Sequence, residues 1–215
     1  MSKLNELIKQ YCPNGVKYKK ISEIAVEMFR GAGIRREDVS EEGVPCVRYG
    51  EIYTSYGVSF DRCISHVDPD KVPSKKVLKK NDLLFAITGE SVLDIGKCTA
   101  YLGNEEGLVG GDILVVRHNQ NAKYLSYALS TDNAIEQKGR GKVKSKVVHT
   151  NASSIGEITI PLPPIEIQNE IVSILDKFLM NKENLIRQLN LELAAREKEY
   201  NYYLNKLLAF DEEDD

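Results

Sequence analysis

The chain has 215 residues, of which 42% are hydrophobic and 28% are charged. This composition supports a packed core and excludes a predominantly disordered chain. The formal net charge of −3 argues against a uniformly basic nucleic-acid binder. No apolar run approaches the roughly 18 residues that span a bilayer, and the opening MSKLNELIKQ lacks the apolar segment of a signal peptide. We therefore expect a cytoplasmic protein.

The charge is distributed unevenly along the chain. Residues 1–165 carry 23 Lys and Arg against 20 Asp and Glu, whereas residues 166–215 carry 6 against 12. A mildly basic body is thus followed by an acidic C-terminal segment. Function has to be argued from local patches, because the total charge averages over both parts.

Cysteine and histidine are scattered through the sequence without metal-ligand spacing. The sequence contains no CxxC pair, and no group of these residues resembles a zinc site. We expect free thiols in a reducing compartment and no bound metal. The residues are Cys12, Cys46, Cys63, Cys98, His66, His118 and His149.

The amino-terminal residues predict two short helices. SKLNELIKQYC places Leu4, Leu7 and Ile8 on one helical face, and the PNGV that follows is a turn signal. A second helix is predicted over about residues 21–28. It leads into the loop GAGIRRED, which carries Arg35 and Arg36 next to two acidic residues.

Strand signals dominate from about residue 44 to residue 120. The segments are short, rich in β-branched and aromatic residues, and bounded by glycine or polar clusters. Their spacing without long intervening helices predicts a mixed or antiparallel sheet with a barrel-like arrangement. The segments are VPCVRYGEIY, VSFDRCISHV, DLLFAITG, KCTAYLG and GGDILVVRH.

A predicted helix over residues 121–138 is followed by the strongest electrostatic signal of the chain. KGRGKVKSKVVH carries five positive residues, and no acidic residue occurs between Gln137 and Gly156. As a strand, the segment would place alternate lysines on one face, which suits contacts with phosphates. The same pattern also fits a solvated edge strand whose lysines oppose aggregation. The positive residues are Lys138, Arg140, Lys142, Lys144 and Lys146.

The C-terminal pattern, from about residue 166 to residue 210, predicts one continuous helix without proline or glycine. Apolar residues recur in alternating steps of three and four, which is typical of a coiled-coil seam. Lys182 and Arg196 occupy seam positions where apolar residues are expected. The apolar seam residues are Val172, Leu175, Leu179, Ile186, Leu189, Leu193, Tyr200, Tyr203 and Leu207.

The candidate catalytic motifs are weak. GESVLDIGKC has six residues between its glycines, and Cys98 stands where a phosphate-binding loop has Ser or Thr. Asp70 with Glu136 and Lys138 resembles a nuclease metal site, but the spacing is unusually long. The sequence contains neither an adenine-methyltransferase motif nor an evident nucleophile–base pair. We therefore expect no catalytic residues and no enzyme activity of the chain itself.

Three stretches resemble the specificity subunit of type I restriction–modification systems. They are LIKQYCPNGVKYKKISEI, VPCVRYGEIYTSYG and ITIPLPPIEIQNEIVSILDKF. The last stretch is similar to the family's border between recognition domain and helix. The family often has an acidic residue directly before the glutamine, whereas Ile167 precedes Gln168 here.

The resemblance implies an α+β fold, with a mixed, β-rich target recognition domain followed by a long coiled-coil-forming helix. The expected bounds are residues 1–164 for the DNA-binding domain and 165–215 for the helix with its acidic tail. The helix would serve dimerisation and methyltransferase docking. Implied partners are double-stranded DNA, methyltransferase subunits and, where present, restriction subunits. S-adenosylmethionine, ATP and Mg²⁺ would belong to those subunits, so no cofactor is expected on this chain.

The chain shows one recognition domain and one helix where full-length subunits of this family have two of each. A homodimer with antiparallel helices would bury the seam and place two domains to recognise a bipartite target. The alternatives are pairing with a different half-subunit, a non-catalytic scaffold on a dimeric coiled coil, or a metal-dependent nuclease. The expected DNA contacts are Lys138, Arg140, Lys142, Lys144 and Lys146 on phosphates, with Arg35, Arg36, Arg48, Glu90 and Ser91 near the bases.

Overall fold

The computed structural model describes residues 3–72, 74–140 and 147–210. The chain divides into two compact units, Met1–Val172 and Ser173–Asp215. The first unit contains the sheets and the second contains most of the long helix. The fold is therefore α+β, with β-rich sheets and a long C-terminal helix, as the sequence predicts.

The helices of the described residues are short in the first unit and long at the C terminus. They are α1 (Lys3–Tyr11), α2 (Ile21–Ile24), α3 (Tyr49–Thr54), α4 (Ala122–Ala128), α5 (Asp132–Gly139), α6 (Ala152–Gly156) and α7 (Ile165–Leu207). Short 3-10 turns occur at Arg36–Asp38 and Pro69–Lys71.

Fourteen strands lie within the described residues. They are β1 (Tyr18–Lys20), β2 (Ala25–Arg30), β3 (Val39–Ser40), β4 (Val44–Val47), β5 (Ser59–Phe60), β6 (Ser65–Val67), β7 (Val77–Leu78), β8 (Leu83–Ala86), β9 (Thr88–Gly89), β10 (Cys98–Tyr101), β11 (Gly107–Val109), β12 (Ile113–His118), β13 (Val148–His149) and β14 (Thr159–Pro161).

The strands form two five-stranded sheets and two two-stranded pairs. The large sheets have the orders β2-β12-β8-β10-β5 and β3-β6-β4-β11-β7, and the pairs are β1-β14 and β13-β9. Most neighbours are antiparallel, but β5 runs parallel to β10 and β4 runs parallel to β11. The sheets are therefore mixed, in agreement with the prediction.

The strands at the centre of the first large sheet are buried on both faces. Successive side chains of β8 and β12 point to opposite sides, and each side belongs to a different hydrophobic cluster. Leu125 of helix α4 and Leu129, which directly follows that helix, cover one side, and Ile52 of α3 covers the other. The first cluster includes Leu83, Phe85, Leu114 and Val116, and the second includes Leu84, Ala86, Ile113 and Val115.

Three predicted elements have different boundaries in the structure. The helix expected over residues 21–28 ends at Ile24, because residues 25–30 pair as β2 with the central strand β12. The strand expected over VPCVRYGEIY ends at Val47 and continues as α3. The helix expected over residues 121–138 is divided into α4 and α5. In the first two cases, pairing or packing outweighs local propensity.

The turn into α3 depends on a buried acidic side chain. Glu51 is 8% exposed, and its Oε2 accepts a hydrogen bond from the backbone N–H of Arg48 at 3.1 Å. Its Oε1 accepts a second bond from Ser65 Oγ at 2.6 Å. These contacts satisfy the carboxylate inside the domain and hold the start of α3 against the sheet that contains β6.

The first turns of α7 belong to the first compact unit. Gln168 is fully buried, and its Nε2 donates to the carbonyl of Pro163 and to Gln120 Oε1, each at 2.8 Å. Its Oε1 accepts from the backbone N–H of Asn121 at 3.1 Å. Helix α7 begins at Ile165, where the sequence places the domain boundary, while the compact unit extends to Val172.

Helix α7 has 43 residues, which corresponds to about 65 Å at 1.5 Å per residue. Seam side chains from Ile186 onward are strongly exposed, with Ile186 47%, Leu193 59% and Leu207 69% accessible. Arg196, at one of the polar seam positions, forms ion pairs with Glu192 and Glu199 of the same helix, each at 2.9 Å. The seam therefore presents apolar surface with charged positions in it.

Close packing of the loop after β2 yields a stability prediction. A Cβ added to Gly31 would lie 2.1 Å from the carbonyl oxygen of Gly110, whereas one added to Gly33 would meet nothing within 4 Å. We expect Gly31→Ala to lower the free energy of unfolding by about 1–3 kcal/mol, because the backbones must separate. Gly33→Ala is the matched control and should stay within about 0.5 kcal/mol. Chemical denaturation measures both, and equal midpoints for the two variants would contradict the close approach.

Candidate functional site

Several strand ends meet at one edge of the first unit. Because β2, β12 and β8 are antiparallel neighbours, the ends of β2 and β8 lie beside the beginning of β12. The register pairs Arg30 with Leu114, and Ala86 with Ile113. Segments that leave these strands are therefore brought together, although they are distant in the sequence.

The beginning of the loop that carries Arg35 and Arg36 reaches the same edge, as does the start of α3. The N–H of Gly31 donates to the carbonyl of Ile113 at 2.9 Å, which holds the loop after β2 at the start of β12. The N–H of Gly110 donates to the carbonyl of Val47 at 2.8 Å, just before Arg48. Segments 31–33, 47–54, 87–96, 110–113 and 147–149 together define what we call the α3–β9 edge.

The two-stranded ribbon β9–β13 brings two further candidates to this edge. Thr88 pairs with His149, and Gly89 pairs with Val148. Glu90 and Ser91 directly follow β9, and Val147 directly precedes β13. The ribbon thus places the strand before Glu90 beside residues 148–149, which follow the basic segment in the sequence.

The predicted basic residues fall into three groups. Lys142, Lys144 and Lys146 lie outside the described residues. Arg140 is exposed, with Glu136 at 3.6 Å from its guanidinium. Lys138 is 7% exposed and its Nζ donates to the carbonyl of Leu129 at 2.7 Å. Its ammonium group is engaged inside the domain, so we leave Lys138 out of the proposed DNA surface.

The predicted arginines and the Glu90 loop are accessible to different extents. Arg35 and Arg36 are exposed, and Arg35 has Glu37 at 3.8 Å. Arg48 is half-buried beside the turn that starts α3, Glu90 is exposed and Ser91 is half-buried. Arg48, Glu90 and Ser91 therefore lie at the α3–β9 edge. The loop of Arg35 and Arg36 is fixed to that edge through Gly31 and Ala32, and it then continues to β3.

A cleft of about 430 Å³ opens between α3 and the β9–β13 ribbon. Its lining combines two tyrosines, two carboxylates and small or hydroxyl-bearing residues, without a positive charge among the described residues. The lining residues are Tyr49, Gly50, Tyr53, Thr54, Thr88, Gly89, Glu90, Asp94 and Val147. The cleft is thus lined by segments 47–54, 87–96 and 147–149 of the α3–β9 edge.

The wall of the cleft is closely packed at Gly89. The hydroxyl of Tyr53 is buried and has no hydrogen-bond partner among the described residues, and a Cβ on Gly89 would lie 2.7 Å from it. Burial raises the pKa of Tyr53 to about 12, and the negative charge of Asp94 acts in the same direction. The phenol therefore stays neutral at physiological pH and contributes a polar, uncharged wall.

Thr88, Gly89 and Asp94 of the cleft were missed at the level of sequence, because they occur in ordinary strand-like or loop contexts. The pairing of β9 with β13 is what brings Thr88 and Gly89 to the ribbon. A second basic run was also missed, although its signal is visible: Lys71, Lys75, Lys76, Lys79 and Lys80 occur without an acidic residue from 71 to 81. Lys79 and Lys80 precede β8, at the strand end opposite Glu90.

Neither a metal site nor a membrane helix is found in the described part of the chain. No cluster of three or more His, Cys, Asp or Glu there could hold a metal ion. None of its helices combines the length and the apolar character that crossing a bilayer requires. All four cysteines are free thiols.

Comparison with known proteins gives a coherent family assignment. Residues 13–195 match the type I restriction modification DNA specificity domain. A putative type I specificity subunit of Mycoplasma pneumoniae is 36% identical over 100 residues, which are 45% of this chain and 24% of that protein. The putative MjaX specificity subunit of Methanocaldococcus jannaschii is 34% identical over 133 residues, covering 59% of this chain and 30% of that protein.

Solved structures show the same fold at low identity. A chain from a structure of complex assembly and conformational transition in a type I R-M system has a TM-score of 0.66 and 18% identity. That match covers 94% of this chain and 50% of the solved chain. The HsdS subunit of Thermoanaerobacter tengcongensis has a TM-score of 0.56 and 17% identity, covering 86% and 44%.

The chain spans about half the length of these solved chains, and the matched segments cover a quarter to a third of the curated relatives. The family model nevertheless covers most of the present sequence, from the turn after α1 into the second half of α7. The β-rich unit followed by the long helix is the architecture of the solved relatives. The chain therefore belongs to the type I restriction–modification DNA specificity family.

Proposed function

We propose that this chain recognises DNA within a type I restriction–modification complex through its α3–β9 edge. The observation that carries the proposal is the position of Arg48, Glu90 and Ser91 at one edge of the domain, where the loop of Arg35 and Arg36 also begins. Val147 lies at the same edge and directly follows the segment with Lys142, Lys144 and Lys146 in the chain. Cationic and base-reading groups would thus act on one side of a duplex.

In this proposal the positive and the neutral or acidic residues have different tasks. Arg140 and the three lysines of the basic segment contact phosphates, which gives affinity without sequence preference. Arg48 and the loop of Glu90 and Ser91 approach base edges, where donors and acceptors differ between base pairs. Arg35 and Arg36 lie on the loop after β2, and they can add contacts to phosphates or to base edges.

We also propose that the seam of α7 pairs with α7 of a second copy of the chain. Exposed Ile and Leu side chains at heptad spacing favour association with another helix. An antiparallel, two-fold pair would present two recognition domains to a bipartite DNA target, with helix length setting the gap. Methyltransferase subunits would dock on the paired helices.

The proposed role is non-catalytic and cytoplasmic. Methylation and, where restriction subunits join, cleavage would be carried out by partner subunits that bring S-adenosylmethionine, ATP and Mg²⁺. The chain itself would contribute target choice, and it would need no cofactor of its own.

Duplex binding by the full chain tests this proposal. We expect fluorescence anisotropy to show binding of labelled duplex DNA at low salt, with affinity that falls steeply as salt rises. The titration should be made with the chain alone and with a methyltransferase subunit added. Absence of duplex binding in both conditions would rule out DNA recognition and favour a scaffold role.

A further inference from the structure

We infer that Glu90 recognises a base with an exocyclic amino group, and that cytosine is the base it prefers. This inference rests on the proposed DNA recognition and specifies its chemistry at one position of the target. It assigns Glu90 as a specificity-determining residue, whose carboxylate accepts a hydrogen bond from the amino group of the base.

The charge of the cleft selects the part of DNA that can approach it. Glu90 and Asp94 are both exposed, and their carboxylates have no hydrogen-bond or ion-pair partner among the described residues. None of the other lining residues that the structure describes carries a positive charge. A phosphate next to two unpaired carboxylates would be repelled, so the cleft disfavours the DNA backbone and favours a donor group.

The ribbon gives Glu90 a route to the base edges. A two-stranded β-ribbon fits the major groove of B-DNA, which is about 12 Å wide. In β9–β13, Glu90 directly follows the strand residue Gly89, which faces Val148 across the ribbon. Glu90 is exposed at the cleft, and no described residue covers its carboxylate, so a donor can reach it.

The pattern of donors and acceptors in the major groove decides between the bases. Guanine presents the acceptors O6 and N7, and thymine presents O4, so neither offers a donor to a carboxylate. Adenine offers its N6 amino group, but the neighbouring N7 is an acceptor that faces the same side chain. Cytosine offers its N4 amino group without that acceptor, so an acidic side chain prefers a C·G pair.

A cationic side chain of a protein partner is the main competing ligand for two carboxylates. The position of the cleft argues for DNA, because the loop that carries the exposed arginines Arg35 and Arg36 begins at the same edge. Arginines there would compete with a cationic partner and would attract a polyanion. Glu90 therefore lies where phosphates are held nearby while the cleft itself receives a base edge.

Glu90→Gln should change the selected base. A glutamine side chain binds the N6 and N7 atoms of adenine with two hydrogen bonds. We expect selection from a random duplex library to give one target position at which the native chain prefers cytosine by about tenfold or more. The Glu90→Gln variant should lose this preference and favour adenine at the same position. Glu6→Gln, an exposed acidic residue of α1, is the control and should leave every position unchanged.

The selection is made with the full chain, alone and with a methyltransferase subunit, and each outcome is decisive. A defined target with no change in Glu90→Gln overturns the inference and leaves the proposed function intact. If only the Asp94→Asn variant changes the selected base, the inference is also overturned, because Asp94 and not Glu90 would then contact the base. If the native chain selects no sequence in either condition, the proposed function fails and this inference fails with it.

Discussion

Replacing Ile186 and Leu193 by lysine is expected to convert the full chain from a dimer into a monomer. Both side chains lie on the seam of α7, one heptad apart, and are 47% and 59% exposed in the single chain. Burying an Ile or Leu side chain contributes about 1.5–3 kcal/mol. A two-fold pair loses four such side chains, so the cost is about 6 kcal/mol or more, which is roughly four orders of magnitude in Kd. Analytical ultracentrifugation at micromolar concentration measures this change.

The control adds the same charge to the same helix away from the seam. Gln188→Lys with Ala195→Lys has identical spacing, and both positions are exposed on α7. This variant should remain a dimer. A native chain that sediments as a stable monomer, or a seam variant that still dimerises, would contradict pairing through these residues.

Dimerisation would make the length of α7 relevant to which DNA target is recognised. Helix α7 contains no proline or glycine to bend it. Its first turns are tied to the domain through the three hydrogen bonds of Gln168. In the proposed dimer, a pair of such helices would join two recognition domains, so helix length would act as a determinant of the gap in a bipartite target.

The elements with the most regular pattern were predictable from the sequence. The predicted bounds of helix α7 lie within one to three residues of the observed ones, because the heptad-like spacing of apolar residues continues along the whole helix despite single polar exceptions. Pro163 and Pro164 precede it and mark its start. The central strands β8 and β12 were also recognised, since short apolar runs bounded by glycine or polar residues are typical of buried strands.

The elements that depend on distant partners were not predictable. Residues 25–30 have helical periodicity, yet they pair with β12, which lies nearly ninety positions later in the chain. In VPCVRYGEIY, the change from β4 to α3 depends on Glu51, which hydrogen-bonds Arg48 and Ser65. Single-sequence propensity does not contain such contacts.

The candidate site was predictable only in part. The basic segment and the loop of Glu90 stand out by charge and position in the sequence. The placement of Val148 and His149 beside the strand that precedes Glu90 depends on the pairing of β9 with β13, which joins residues about sixty positions apart. Lys138 shows the limit of charge patterns, because it belongs to the basic run in the sequence but is buried against the carbonyl of Leu129.

Removing the basic segment should weaken DNA binding for every sequence. We expect the triple variant Lys142/Lys144/Lys146→Ala to lose about 100-fold in affinity near 0.1 M salt, at about 1 kcal/mol per lost phosphate contact. The slope of log K against log salt should become shallower by up to about 2.7, because each phosphate contact contributes about 0.9. Target and non-target duplexes should lose affinity in equal proportion, since phosphate contacts carry no base information.

The second basic run supplies a control that removes the same charge. Lys75, Lys79 and Lys80 are exposed, and Lys79 and Lys80 precede β8 at the strand end opposite Glu90. If binding depends on the α3–β9 edge, Lys75/Lys79/Lys80→Ala should keep most of its affinity and its salt slope. Equal losses in the two variants would indicate a general charge effect. A loss confined to the control would move the phosphate contacts to the opposite end of the domain and would contradict the proposed DNA surface, because the cleft with Glu90 would then face away from the duplex.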